Sequence, residues 1–508
     1  MKPNHEGLVR SSTIAFLWGS GGGLLRVVLQ LVVQVALARV LGPEAYGLFA
    51  LGLLLVGLGT YLADFGLAYG LIQKPVVTEQ DVCFVWTWQW VLGLTVACIC
   101  WAGSAALAGW FEKPAVESVF AWLALVCLVN ALTAPATNLL KKALDYKTLQ
   151  IAQLTAYLVG YLCIGLPMAV NGFGVHSLVA AMISYSLVNF TILYAKARHP
   201  IGLRFVQTGG LAMLGYGVTV LGTNLVNWLM TGMDKLLIGK LLPAHTVGAY
   251  TTAFNLVNSP AAAAYGSLQS VVFSAGARLQ GDIPALKAVF LQLLAGVFLT
   301  AFPLFAVLGV GADMTIAAVY GPRWAEAAPY LGVFAFAMPW LLVWGVSTPV
   351  LWNTGHTSLE LVLQLPMAFI WGFVLWAVSS QPGPVIALTA AGLFGARAAV
   401  MATVAGRLLG VTMREAVRVI AGGIALTGLM SLGTALLVPS LGQAVGNAQL
   451  QLLCLLTTGG AIYLLGIVGL GPLLVDRAFA KTLRGSAERL PKVIAIPLRL
   501  AGRERKPE

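Results

Sequence analysis

The chain has 508 residues, of which 59% are hydrophobic and only 9% are charged, and its formal net charge is +12. A soluble domain carries about 25% charged residues and less apolar material, so this composition excludes a soluble globular protein. The basic excess does not require nucleic acid as a partner, because membrane proteins concentrate Lys and Arg on their cytosolic side.

Apolar runs long enough to cross a membrane follow one another from Ile14 to Val475. A transmembrane helix needs roughly 20 mostly apolar residues, and the sequence predicts an all-α integral membrane protein with about fourteen spans. The first run is too long for a cleavable signal peptide and contains Arg26. The predicted spans are 14–38, 46–72, 83–108, 116–138, 150–170, 173–195, 212–237, 247–271, 289–311, 326–351, 359–379, 384–406, 417–438 and 451–475.

The distribution of Lys and Arg predicts the orientation. With the N-terminus in the cytosol, 23 of the 30 basic residues fall in cytosolic segments and 5 on the other side, while Arg26 and Arg397 lie inside spans. This asymmetry predicts that both termini are cytosolic. The segment 476–508 is predicted to be a basic cytosolic tail that contacts anionic membrane lipids, with a protein partner as the alternative.

Several chemical motifs are missing from the sequence. The six cysteines form no CxxC pair and have no His cluster beside them, which favours packing roles and predicts no metal site. There is no GxxxxGK[ST] phosphate-binding loop, and the short outward loops lack the paired acidic residues of a glycosyltransferase. The sequence therefore predicts a transporter without a cofactor rather than an enzyme.

A weak internal repeat predicts the architecture. Residues 37–56 align without a gap with residues 238–257, so that Gly47 matches Gly248, and both copies fall at the same loop of a six-span unit. Because six is even, the halves enter the membrane in the same direction, as parallel repeats around a central cavity. The predicted divisions are an N-terminal lobe (1–205, spans one to six), a C-terminal lobe (206–410, spans seven to twelve), two extra spans (411–475) and the tail (476–508).

Two arginines near the centres of spans are the main candidates for cargo binding. Arg26 shares one helical stripe with Gln30 and Gln34, and Arg397 is equally central in span twelve. A guanidinium binds phosphate or carboxylate through its planar fork of donors, so two such residues predict an anionic cargo. The alternatives are a packing pair with a carboxylate for Arg26 and a backbone carbonyl at a kink for Arg397.

Amide side chains form the second group of candidates for the cavity. Asn227 and Asp234 are predicted on one face of span seven with Asn224 beside it, and Asn255 and Asn258 share a face of span eight. Amides suit sugar hydroxyls because they both donate and accept, although they also hold transmembrane helices together. Glu360, at the start of span eleven, is interpreted as a solvated charge at a helix end, with a role in ion coupling as the alternative.

Asp64 is a membrane-embedded acid in the stretch "LADFGLAYGLIQK". An intramembrane carboxylate is costly and needs a partner or a role. Two interpretations remain open: an ion pair with Arg26 on the neighbouring span, or titration as part of coupling to H⁺ or Na⁺.

Two segments resemble a known family. "LARVLGPEAYGLFALGLLLVGLGTYLADFGLAYGLIQKP" and "MDKLLIGKLLPAHTVGAYTTAFNLVNSP" are similar to elements of the Wzx-type polysaccharide biosynthesis flippases, a branch of the multidrug/oligosaccharidyl-lipid/polysaccharide exporter superfamily. The match includes R-x-L-G-x-x-x-Y-G after span one and A-D-F-G-L in span two. Pro243 stands where the second element usually has Gly.

The resemblance implies a function. Members of this family move undecaprenyl-diphosphate-linked oligosaccharides from the inner to the outer face of the bacterial plasma membrane, for exopolysaccharide, capsule or O-antigen assembly. It also implies polysaccharide polymerase or export machinery as partners. The alternative is a cation-coupled drug or metabolite exporter of the same superfamily, in which cavity carboxylates would be more frequent.

Overall fold

The computed structural model describes residues 5–207, 210–279 and 281–474, and every regular element in these residues is helical. The predicted tail, 476–508, lies outside them. The helices are α1 (His5–Asp64), α2 (Leu67–Gln73), α3 (Glu79–Ala102), α4 (Ser104–Phe111), α5 (Val116–Lys142), α6 (Tyr146–Tyr157), a π-helix (Leu158–Gly165), α7 (Leu166–Val170), α8 (Val175–Ala197), α9 (Gly210–Leu241), α10 (Ala244–Arg278), α11 (Ile283–Val310), α12 (Ala312–Val319), a 3-10 turn (Pro322–Trp324), α13 (Ala327–Asn353), α14 (Thr357–Ala377), α15 (Gly383–Leu408), α16 (Met413–Ala444) and α17 (Ala448–Leu474).

Each predicted span coincides with helix, which confirms the all-α membrane fold. By length and composition, eleven helices of the described residues can cross a membrane. Three differences separate this number from fourteen. Predicted spans one and two form a single candidate, Arg26–Asp64, and α9 and α10, the counterparts of spans seven and eight, are not among the eleven.

The expected loop between spans one and two is reduced to one residue. Only Gly42 leaves helical geometry, with φ 79° and ψ 177°, and Pro43 follows it inside α1. Glycine adopts positive φ without a steric penalty, and proline is compatible with the first turn of a helix because its missing N–H needs no partner there. The two residues therefore turn the chain sharply, without the longer loop that the sequence suggested.

The helices repeat in the order that the sequence predicted. The long helices α3 and α11 are each followed, after a single glycine, by an eight-residue helix, α4 and α12. The next helices, α5 and α13, both have 27 residues. Similar elements in the same chain order are what two related six-helix halves require.

A reciprocal glycine contact joins matching positions of this repeat within the first unit. A Cβ built on Gly47 would overlap the carbonyl oxygen of Ala244, and one built on Gly248 would overlap the carbonyl oxygen of Pro43. The offset of 201 residues that relates Gly47 to Gly248 also relates Pro43 to Ala244. Gly47 thus contacts the counterpart of Pro43, and Pro43 contacts the counterpart of Gly47. Such reciprocal contacts are typical of a twofold relation.

The chain divides into two compact units, one ending at Thr251 and the other beginning at Thr252. The first unit holds the predicted N-terminal lobe together with α9 and the first turns of α10. The second unit holds the rest of α10 and the helices that follow. The predicted lobe division at residue 205 stays a prediction.

Candidate functional site

Arg26 is half-buried in α1 and is held by neutral groups. Its guanidinium donates a hydrogen bond to the side-chain oxygen of Gln153 in α6, and within the described residues its Nε is buried without a hydrogen-bond partner. One turn further along α1, the carbonyl oxygen of Gln30 accepts a hydrogen bond from the Tyr157 hydroxyl at 3.3 Å. In the part of the chain that the structure describes, no carboxylate pairs with Arg26.

Three tyrosines pack together at the contact between Tyr157 and Gln30. The rings of Tyr157 and Tyr161 stack with centroids 4.6 Å apart, and the ring of Tyr185 in α8 lies 6.5 Å and 6.4 Å from them. Gln34, the third residue of the predicted stripe, lies half-buried further along α1, where its carbonyl oxygen accepts from the Tyr46 hydroxyl at 3.0 Å. Arg26 and Gln30 thus share one cluster, whose aromatic members the sequence analysis did not identify.

Asp64 is the last residue of α1, at a break in the predicted second span. Phe65 and Gly66 have positive φ angles of 49° and 69°, and α2 begins after them. The amide nitrogen of Gln89 in α3 donates to both the side-chain oxygen and the carbonyl oxygen of Asp64, each at 3.0 Å. The expected ion pair between Asp64 and Arg26 does not form, because a buried amide takes the place of the cation.

Asp234 lies in a contact between α9 and α10. Its buried carboxylate accepts a hydrogen bond of 2.6 Å from the buried Tyr250 hydroxyl, which joins the two arms of this helical hairpin. Asn224 and Asn227 are half-buried on α9, and Asn255 and Asn258 are half-buried on α10. Direct contact of these side chains with cargo stays a prediction.

Arg397 lies in the second unit and is only 2% exposed. Its guanidinium carbon lies 3.7 Å above the centre of the Trp344 ring, and a terminal nitrogen donates to the side-chain oxygen of Gln364 at 2.7 Å. A cation over an indole face is stabilised by the ring's negative surface, most of all when water is excluded. Among its contacts are therefore an amide and an aromatic ring.

The network around Arg397 continues to a carboxylate. The amide nitrogen of Gln364 donates to one oxygen of Glu360 at 2.8 Å, and the Trp352 indole donates to the other at 2.8 Å. Glu360 is therefore not the freely solvated end charge that the sequence suggested. Gln364 links it to Arg397 because an amide both accepts and donates.

The two glutamines that bind arginine occupy equivalent positions of the repeat. Gln153 lies seven residues after the first residue of α6, and Gln364 lies seven residues after the first residue of α14. The first residues of α6 and α14 are 211 positions apart (357 − 146), and those of the preceding long helices α5 and α13 are also 211 apart (327 − 116). Equivalent positions of α6 and α14 therefore each present an amide to a guanidinium. The two arginines come from non-equivalent helices, α1 and α15.

An ion pair holds the end of α9 to the turn after α4. The Lys240 ammonium lies 2.6 Å from the Glu112 carboxylate, which lowers the pKa of Glu112. The Lys113 ammonium donates to the carbonyl oxygen of Gly239 at 2.6 Å, and partial burial lowers the pKa of Lys113. Gly239 and Lys240 lie only a few residues before Ala244 and Gly248, which form the close glycine contacts. Polar and backbone contacts therefore together hold the end of α9 and the start of α10 in the first unit.

The repeated order of helices, together with eleven helices among the described residues that are long and apolar enough to cross a membrane, defines the class as a multi-span α-helical membrane protein. A family model described as polysaccharide biosynthesis protein matches residues 36–329. The chain belongs to this family, and the resemblance found in the sequence is confirmed.

The sequence identity to individual relatives is low. The lipopolysaccharide biosynthesis protein WzxC of Escherichia coli (strain K12) is 24% identical over 322 residues, which cover 62% of this chain and 64% of WzxC, less than two thirds of its length. The structure of the lipid II flippase MurJ in an inward closed conformation superposes with a TM-score of 0.63 at 11% identity, covering 89% of this chain and 97% of MurJ. An inward-facing multidrug resistance MATE family transporter of the MOP superfamily gives 0.59 at 12% identity, covering 75% and 94%.

Proposed function

We propose that this chain is a flippase that moves undecaprenyl-diphosphate-linked oligosaccharides from the cytosolic to the periplasmic leaflet by alternating access, for exopolysaccharide, capsule or O-antigen synthesis. Membership of the polysaccharide biosynthesis family supports the pathway. The fold, shared with MurJ, supports transport rather than group transfer.

The observation that carries the proposal is the environment of Arg26. A membrane-embedded guanidinium is expensive and is normally neutralised by a nearby acid. Here its partner is the neutral amide of Gln153, which orients the cation without cancelling its charge. Such a site suits the diphosphate or an acidic sugar of the cargo, since charge-assisted bonds from arginine to phosphate or carboxylate are short and strong.

The remaining cavity candidates complete the proposed path. The half-buried amides of Gln30, Gln34, Asn224, Asn227, Asn255 and Asn258 would bind sugar hydroxyls. The cargo's lipid chain stays in the bilayer, whose apolar interior accepts it. The proposed setting is a bacterial inner membrane with both chain termini in the cytosol, the basic tail on anionic lipids, and polysaccharide polymerase or export machinery as partners.

A cation-coupled exporter of drugs or metabolites is the second candidate. The observation that favours it is Asp64, a half-buried carboxylate at a helix break whose bound partner is the neutral amide of Gln89. Breaks in membrane helices often hold coupling ions. In a flippase the same residue would serve H⁺ or Na⁺ coupling, so the two candidates differ in cargo rather than in this site.

The test is deletion of the gene in its own host, followed by extraction of lipid-linked glycans. The flippase predicts accumulation on the cytosolic leaflet and reduced polymer outside the cell, both restored by the wild-type chain. Unchanged lipid intermediates together with increased drug sensitivity would replace the flippase by the exporter.

A further inference from the structure

The fifth span of the first half differs from its counterpart in the second half. Residues Leu158–Gly165 form a π-helix between α6 and α7, whereas α14 is α-helical from Thr357 to Ala377. A π-segment costs stability and is often retained where function requires it. The π-helix begins five residues after Gln153, the residue that holds Arg26.

Glycines in this segment let α8 approach closely. A Cβ on Gly160 would lie 2.5 Å from the carbonyl oxygen of Ala181 and 2.8 Å from the backbone nitrogen of Tyr185. A Cβ on Gly165 would lie 2.8 Å from the Ala181 side chain. Only glycine permits such an approach, and its effect is to place Tyr185 beside the two tyrosines of the α6 and π segments.

The resulting group has unused hydrogen-bonding capacity. Tyr157 is buried and donates to the carbonyl oxygen of Gln30, but Tyr161 and Tyr185 are half-buried, and in the described ranges their hydroxyls have no hydrogen-bond partner. Arg26 is joined to this group through α6, because it donates to Gln153, one turn before Tyr157. The amide-held guanidinium and the tyrosine rings thus occupy neighbouring turns of the contact between α1, α6 and α8.

We propose that Arg26, Tyr161 and Tyr185 form a binding site for a glycosyl phosphate, the sugar that carries the phosphate of the lipid-linked cargo. The guanidinium binds the phosphate oxygens, the tyrosine rings cover the apolar face of the sugar, and the hydroxyls bond its hydroxyl groups. Gln153 is the positioning residue that fixes the guanidinium. This inference rests on the proposed function and names the part of the cargo that the first half recognises.

The experiment measures binding rather than transport. The full chain is purified in detergent and titrated calorimetrically with glucose 1-phosphate, glucose and inorganic phosphate. We expect glucose 1-phosphate to bind at least tenfold more tightly than either of the other probes. Tyr161→Leu and Tyr185→Leu should weaken glucose 1-phosphate about tenfold and leave inorganic phosphate unchanged, whereas Arg26→Gln should weaken both.

Control variants separate binding from folding. Tyr61→Leu removes a tyrosine that is 37% exposed elsewhere on α1 and should bind all three probes as the wild type does. Tyr161→Phe and Tyr185→Phe keep the ring and should give an intermediate loss, which covers the case in which the leucine variants do not fold. Equal affinity for glucose 1-phosphate and inorganic phosphate, or wild-type affinity in the tyrosine variants, would overturn the site.

The result also separates this inference from the proposed function. Binding as described, in a chain that transfers no lipid-linked oligosaccharide between leaflets, would retain the site and remove the flippase. Transfer at normal rates by the tyrosine variants, without preference for glucose 1-phosphate, would retain the flippase and remove the site.

Discussion

The two membrane-embedded arginines have equivalent glutamine partners but different surroundings. Arg26 is half-buried and is bound by Gln153 beside three tyrosines, whereas Arg397 is almost fully buried, covered by Trp344 and linked through Gln364 to Glu360. A cation whose charge is balanced internally contributes to the structure, and one held by an amide alone keeps its charge available to a ligand. We therefore expect the same amide position to serve stability in the second unit and, under the proposed function, cargo recognition in the first.

The largest expected effect is on the stability of the second unit. Arg397→Gln removes the cation from the Trp344 face and from Gln364, and it leaves Glu360 without a neutralising partner. We expect the free energy of unfolding to fall by about 2–4 kcal/mol, since buried charge contacts and cation–π contacts are both lost. Thermal unfolding of the purified protein measures this, and wild-type stability with lost transport would reverse the assignment.

Arg26→Gln should have the opposite profile. Loss of charge-assisted hydrogen bonds to the cargo, about 1.5–3 kcal/mol, corresponds to a roughly 10- to 100-fold slower transfer of cargo. Thermal stability should stay close to that of the wild type because no carboxylate of the described residues pairs with Arg26. The matched control is Arg407→Gln, at an exposed arginine in the last turn of α15, which should change neither quantity.

Substitutions of the two equivalent glutamines should have smaller effects, and they can be compared as a pair. Gln364→Leu breaks the link between Arg397 and Glu360 and should lower the free energy of unfolding by about 1–3 kcal/mol, because the buried Arg397 and the half-buried Glu360 each lose a partner. Gln153→Leu leaves Arg26 charged but not oriented, so transfer should slow while stability changes less. If both substitutions gave the same profile, the difference between the two units would disappear.

The smallest expected effect on stability concerns the residues that follow α8 and α15, the last helices of the two halves. His199, two residues after α8, lies 5.1 Å from the rings of both Trp86 and Tyr194, and burial lowers its pKa. The position two residues after α15 holds Gly410, which has no titratable side chain and whose carbonyl accepts from Lys287 at 2.9 Å. Titration of His199 therefore acts on the first half alone.

The direction in which stability changes with pH follows from the lowered pKa of His199. Neutral His199 is favoured in the folded state, so its contribution to stability is complete above its unfolded pKa of about 6.5 and is lost as the pH falls from there towards the folded pKa. Melting temperature should decrease over this interval, and His199→Phe, which keeps an aromatic ring but cannot be protonated, should flatten the profile. An unchanged slope in this variant would assign the pH dependence to other groups.

The sequence predicted the features that depend on composition and spacing. Apolar length gave the spans, and the 201-residue offset gave a repeat whose glycines meet in the structure. The tight turn at Gly42 was missed because the Gly, Pro and Glu residues after span one are typical of a longer loop. In the structure a single residue with positive φ makes the turn. Arg26 and Arg397 looked alike because both lie in mid-span, and only their contacts separate them.

The amide partners could not be predicted from one helix at a time. Gln89, Gln153 and Gln364 lie on helices that meet their partners through tertiary packing, and single glutamines in apolar runs carry no directional signal. The equivalence of Gln153 and Gln364 was present in the sequence, but it lies at an offset of 211 residues, ten more than that of the repeat in spans one and two. An alignment that allowed gaps between spans would have found it.

The most direct test of the account is leaflet transfer in proteoliposomes that contain a purified undecaprenyl-diphosphate-linked oligosaccharide, measured by accessibility of the sugar to an external glycosidase. We expect transfer by the wild-type chain and by Arg407→Gln, and a roughly 10- to 100-fold slower transfer by folded Arg26→Gln. Transfer by Arg26→Gln at the wild-type rate would contradict the role of Arg26, and no transfer by the wild-type chain would contradict the flippase.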